Sequence, residues 1–261
     1  MKFIIYLFSF FLCFSLLSGD FVNDLRNGID ALPSAKYIEV DLSLGRELLD
    51  AFSIDQATSL SLAYQGDIVE LKYVLVNFLL KVSSSDKTVI NDLSGLLSKR
   101  LNDIYTVQEK PYLWIFISST MTKDVGYKWH TDLSFENESC AGSVKLGRSI
   151  EYLNRRDYAQ DYFVLMTLKG PATVFYDGTW TPEKREVFAQ YLCREDFTAI
   201  DYLLDDDYVS EGKTGSAYIL LNGMWDGCIH SSPPKVDEAR LFVAVGGASE
   251  EVKKYFEQKF K

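Results

Sequence analysis

Histidine is the scarcest chemistry-bearing residue in this chain of 261 residues: there are two, His130 and His230. Any imidazole chemistry must use one or both. The four cysteines include no C-x-x-C pair, which excludes a zinc ribbon and a thioredoxin-type redox motif. There is no G-x-S-x-G, no P-loop and no H-E-x-x-H, and Gly223, Gly227, Gly246 and Gly247 form no dinucleotide fingerprint. Basic runs are missing as well. With 27 Lys+Arg against 37 Asp+Glu the formal charge is −10, so no nucleic acid is expected as a partner, because a duplex binder displaces counterions with Lys and Arg. At 47% apolar and 25% charged residues the chain can build a core, and is neither a disordered tail nor a multi-span membrane protein.

One long apolar run is present, at the N-terminus. Lys2 precedes Phe3 to Leu17, and Leu17-Ser18-Gly19 offers small residues at a cleavage point. Residues 1–19 therefore read as a secretory signal peptide, the run being ended by Asp20 before it reaches the roughly 20 residues of a spanning helix. The expected location is the secretory pathway or beyond: endoplasmic-reticulum lumen, periplasm or extracellular space. The alternative is a retained N-terminal membrane anchor. Cys140, Cys193 and Cys228 would remain after cleavage, an odd count that allows one internal disulfide and one free thiol. Asn137-Glu138-Ser139 is a formal glycosylation sequon.

Residues 20–110 carry helical periodicity. Leu25, Ile29 and Leu32 recur at spacings of four and three, as do Leu44, Leu48, Leu49 and Phe52. Leu71, Leu75, Phe78 and Leu79 mark a third helix, and Ile90, Leu93, Leu97, Leu101 and Ile104 a fourth. After Pro111 the texture becomes short β-type runs: Tyr112 to Ile117, Tyr162 to Leu168, Thr173 to Tyr176, Ala217 to Leu221 and Leu241 to Val245. Without βαβ periodicity these suggest an antiparallel barrel or sandwich. Pro182 to Phe197 reads as a helix on its surface, and Ser249 to Phe260 as a C-terminal helix. The fold class expected is α+β, a helical N-terminal part packed on a β-rich part spanning 111–261.

The informative segment is Trp129-His130-Thr131-Asp132. On a strand, alternate side chains share a face, so His130 and Asp132 project together as a two-ligand claw for a divalent metal. His230 is the remaining imidazole, 98 residues after Asp132 (230 − 132). Two His and one carboxylate make the facial triad of non-haem Fe(II) oxygenases, although the same set also suits Zn²⁺ or Mn²⁺. Ten residues on, Arg240 opens the apolar run Leu241-Phe242-Val243. A guanidinium in such a strand needs an anion, and its planar fork suits a carboxylate. Pairing with Asp237 or Glu238 at the surface is the competing reading.

In this order of H-x-D, distal His and Arg, the chain resembles the 2-oxoglutarate/Fe(II)-dependent dioxygenase superfamily over about Tyr112 to Gly246. The resemblance implies a double-stranded β-helix (a jelly-roll or cupin-like barrel) over 111–261. It also implies Fe(II) held by His130, Asp132 and His230, with Arg240 on the distal carboxylate of 2-oxoglutarate and O₂ as co-substrate. Gly170-Pro171-Ala172-Thr173 stands where some members carry a Gly-Gly-x-Thr strand, which implies a role for Thr173 beside 2-oxoglutarate; Pro171 and Ala172 depart from that pattern. The W-H-x-D, G-P-x-T, H-x-S-P and R-L order is also similar to a bacterial domain family of unknown function.

The function this implies is a dioxygenase that hydroxylates a small molecule or a protein side chain. The alternatives are a non-catalytic metal-binding barrel and a Zn- or Mn-dependent cupin-type protein. Trp129 is expected in the core, the acidic stretch of Asp201, Asp205 to Asp207 and Glu211 in solvent, and Leu133 to Gln160 as a loop able to cover the metal.

Overall fold

The structure, a computed structural model, describes residues 21–32, 35–122, 128–131, 162–194, 196–223, 227–233, 237–250 and 253–254. The signal-peptide and lid readings, Asp132, the Asn137-Glu138-Ser139 sequon, Cys140 and most of the expected C-terminal helix lie outside these residues, and so does the Cys193 side chain. Lys253 N–H does reach Ser249 C=O at 2.9 Å, one helical turn.

Helices α1 (21–31), α2 (Arg46–Ala51), α3 (Ile68–Val82) and α4 (Lys87–Val107) form where apolar residues recur at three and four. Asp67 accepts from Val69 N–H and Glu70 N–H at the start of α3, and Asp86 from Thr88 N–H at the start of α4. Each carboxylate satisfies donors that the first turn leaves without a helical partner. Two strands correct the all-helical expectation for 20–110: β1 (Tyr37–Asp41) and β2 (Thr58–Tyr64). Their sequences, YIEVD and TSLSLAY, alternate with period two, and sheet pairing decides their conformation.

The remaining strands are β3 (Tyr112–Met121), β4 (Tyr162–Lys169), β5 (Val174–Tyr176), β6 (Val209–Glu211), β7 (Ser216–Leu221), β8 (His230–Ser231) and β9 (Ala239–Ala248). They make an antiparallel six-stranded sheet, β1-β7-β4-β9-β3-β2, and a three-stranded one, β6-β5-β8. Helix α5 (Pro182–Cys193) starts at an N-cap Thr181 followed by Pro182, and α6 (Phe197–Leu203) follows it.

Strand alternation sorts the side chains into layers. Leu113, Ile115, Ile117, Val164, Met166, Ile219, Val243 and Val245 join one buried cluster with Leu71, Leu75, Leu97 and Leu101 of the helices. The intervening residues on the same strands, among them Phe163, Leu165, Tyr218, Leu220 and Ala244, face the small sheet and meet Phe175 and Cys228. The outer face of the small sheet carries Val174, Tyr176, Ile229 and Trp129 against Phe188 and Ile200 of α5 and α6. The order is helices, large sheet, small sheet, helices. No helix among the described residues is long and apolar enough to cross a membrane.

Candidate functional site

The two histidines meet through the backbone. His130 N–H donates to His230 C=O and His230 N–H to His130 C=O, both at 2.9 Å, an isolated antiparallel bridge. Residues opposite one another in such a pair share a face, and the imidazoles lie with centroids 4.4 Å apart. His230 is also opposite Phe175 across β5–β8, so both rings face the space between the sheets, as Phe175 does. The two segments are tied down by Lys128 N–H to Ser231 Oγ and by Thr131 Oγ1 to Gly223 C=O, each at 2.9 Å. Trp129 is buried on the outer face, edge-on to Tyr176, in agreement with its expected core place.

Each imidazole holds its Nδ1 against a backbone carbonyl: His130 on Lys128 C=O at 2.8 Å, His230 on Cys228 C=O at 3.3 Å. A carbonyl only accepts, so Nδ1 is the donor in each contact, which is the Nδ1–H tautomer with Nε2 as the ligating nitrogen. That tautomer is the one a metal-binding imidazole uses when its second nitrogen is oriented by an outer partner. Asp132, the expected third ligand, lies outside the described residues. Among the described residues no three His, Cys, Asp or Glu gather.

Arg240 is 4% exposed, which sets aside the surface pairing with Asp237 or Glu238. It is an even-numbered residue of β9, like Phe242 and Ala244, and shares their face between the sheets. Its Nη2 donates to Thr173 Oγ1 at 2.8 Å and to Thr167 Oγ1 at 3.3 Å. The guanidinium carbon stands 4.3 Å over the Phe242 ring. Nε is buried without a hydrogen-bond partner, and no carboxylate among the described residues pairs with the group. Burial alone pushes the guanidinium down to about 10. It remains a cation at neutral pH, held dry by two hydroxyls and a ring.

Thr173 links the two halves. It lies two residues before Phe175 and so on the same strand face. The hydroxyls of Thr167 and Thr173 accept from Arg240, which leaves each its own proton to donate. Thr167 escapes a reading by motif. Its signal is positional: a lone hydroxyl inside the otherwise apolar run Phe163 to Leu168, on the side shared with Phe163 and Leu165. Tyr37, on β1, stacks on Phe175 at 4.3 Å and bonds Ser210 and Asp177. Burial, with a further upward push from Asp177, takes its phenol to about 12, so it is a neutral residue beside Phe175. Cys228 is buried as a thiol rather than in a disulfide, its Sγ near Ile229 C=O at 3.7 Å. The acidic stretch Asp201 and Asp205 to Asp207 is exposed, as expected of a solvated surface.

No family model matches the chain, and no curated protein matches it in sequence. Solved structures do resemble it. HygX from Streptomyces hygroscopicus, with nickel and 2-oxoglutarate bound, is 12% identical over 85% of this chain and 85% of that one, with a TM-score of 0.42. The dioxygenase for auxin oxidation in rice is 10% identical over 90% and 79%, at 0.41. A Pseudomonas putida prolyl-4-hydroxylase is 10% identical over 85% and 98%, at 0.35. Likeness this distant carries no residue roles across.

Proposed function

We propose that the chain is an Fe(II)- and 2-oxoglutarate-dependent oxygenase, a hydroxylase built on a double-stranded β-helix. His130, Asp132 and His230 hold the iron in this reading, and Arg240 binds the distal carboxylate of 2-oxoglutarate. The observation that supports it most is Arg240: a buried cation that no described carboxylate neutralises, facing the same inter-sheet space as a paired set of imidazoles. Leaving a charge in that state is costly, and a small dianionic ligand relieves it. The donor chemistry fits the metal equally well, since both rings present Nε2 as the basic nitrogen.

When bound, Fe(II) with 2-oxoglutarate and O₂ supplies the oxidising chemistry that yields succinate, CO₂ and a hydroxylated C–H position. The chain's own residues do the positioning. Arg240 offers its guanidinium edge to a carboxylate, and Thr173 adds a hydroxyl proton while it fixes the fork. Lys128 C=O and Cys228 C=O orient the two imidazoles. Phe163, Phe175 and Phe242 keep water from the ion pair, which strengthens it.

Anaerobic titration with Fe(II) and 2-oxoglutarate tests the reading through the visible charge-transfer band of the chelate. The band is expected in the wild type, absent in His230→Ala, and requiring far more 2-oxoglutarate in Arg240→Ala. A folded wild type that gives no band overturns the proposal and points to a zinc or manganese protein or to a metal-free binding barrel.

A further inference from the structure

Helix α3 is apolar on two opposite faces. Leu71, Leu75, Phe78, Leu79 and Val82 are buried against the sheet and α4. On the other side, Val69 is 76% exposed, Tyr73 68% and Leu80 46%, with half-buried Val76 between them. The positions 69, 73, 76 and 80 are spaced four, three and four. At about 100° per residue they fall within about 60° of arc, opposite the buried face. A surface helix normally presents polar residues there. α4, which packs beside it, obeys that rule, with Lys87, Asn91 and Asp92 exposed. A β-branched, an aromatic and a γ-branched side chain in a heptad-like row form a seam that another helix can fill.

The charges beside the seam say which helix. Glu70 and Lys81 lie on one flank, at opposite ends, and neither makes an ion pair among the described residues. Around an antiparallel two-fold axis, Val69 faces Leu80 of the second helix and Tyr73 faces Val76. Like flanks then meet, so Glu70 of each copy comes to Lys81 of the other. The surface is complementary to itself, the requirement for an isologous contact. We propose that α3 is a homodimer interface, in which two copies of this chain pair antiparallel along Val69, Tyr73, Val76 and Leu80. One helix face is small for a stable dimer, so the association is concentration-dependent. It lies on the helical side of the large sheet and is independent of the chemistry between the sheets.

Sedimentation equilibrium over a concentration series, on the chain as its producing cell processes it, is the test. The expected result is a shift from one chain mass towards two. Val69→Lys with Leu80→Lys should hold the chain monomeric, with unchanged circular dichroism and thermal midpoint. If that pair disturbs folding, Tyr73→Ser serves as the milder variant. Glu70→Lys alone or Lys81→Glu alone should weaken dimerisation roughly two- to thirtyfold, since two symmetric pairs are lost, and the double exchange should restore it. A wild type that stays monomeric throughout overturns the proposal. So does a dimer indifferent to the lysine pair, or a charge exchange that fails to rescue. A dimer that disappears when the chain starts at Asp20 also overturns it, because the apolar N-terminal run would then be the cause.

Discussion

Under the proposed function, Arg240 joins stability to ligand. A buried guanidinium with two hydroxyl acceptors and no counterion among the described residues lowers the stability of the unliganded fold, and an apolar isostere removes that cost. Arg240→Met should therefore stabilise the apo protein against urea, by on the order of 1–4 kcal/mol in unfolding free energy, while abolishing the response to 2-oxoglutarate. The wild type should gain about 2.7 kcal/mol at a hundredfold excess over Kd. Pyruvate, which lacks the distal carboxylate, should give no such gain. A Met variant less stable than the wild type would show that an anion-independent contact holds Arg240. At this scale the sequence already singled out His130, His230 and Arg240, which are chemically conspicuous, two of them being the only imidazoles in the chain; what the structure adds is the pairing of the two histidines and the burial of the arginine. Thr167 was not singled out, because a threonine in a strand carries no signal until the strand's inner face is known.

Among the elements, the β4–β5 turn packs directly on the strand that begins with Ala239 and Arg240. Gly170 has φ +77°, and a Cβ there would stand 2.1 Å from Ala239 C=O and 3.0 Å from Arg240 Cα. Gly170→Ala must push β9 away where Arg240 begins, so it should lower both the unfolding midpoint and the affinity for 2-oxoglutarate. The second effect is read by the charge-transfer titration; loss of stability with unchanged affinity would disconnect the turn from the site. The edge strand β1 is held by Glu39, which takes Lys213 Nζ at 2.9 Å and Ser216 Oγ at 2.9 Å. Partial burial raises this carboxyl, and the bonds from Lys213 and Ser216 outweigh it, leaving it below its usual value. A carboxyl lowered in the fold contributes stability above its unfolded pKa and loses it as pH falls through the folded one. Urea midpoints at pH about 7 and about 3 should show Glu39→Gln less stable than the wild type at the first and closer to it at the second. The helices were legible from their three-and-four spacing. β1 and β2 were not, since five to seven alternating residues between helices acquire strand character only from partners far along the chain.

For the molecule as a whole, the two strands from the first 110 residues occupy both edges of the large sheet. β1 lies against β7 and β2 against β3, with β7-β4-β9-β3 between them. A fragment 111–261 would expose β7 and β3 as bare edges, along with the apolar face that α3 and α4 cover. Expressed alone, it should aggregate where the full chain stays dispersed, by size-exclusion chromatography. A soluble, cooperatively unfolding fragment would make 111–261 a domain in its own right. The layered arrangement was beyond local periodicity, which reports which face of an element is apolar but not what lies against it.

The sheet order also sets a schedule. β2 meets β3 soon after both are made, but Asp41 is opposite Ser216, 175 positions later (216 − 41). At about 5–20 residues per second, β1 waits on the order of 10–35 s for its neighbour to be synthesised. During that interval the strand of Tyr37, Ile38 and Val40 is an unpaired edge, and the charges of Glu39 and Asp41 oppose its pairing with another chain.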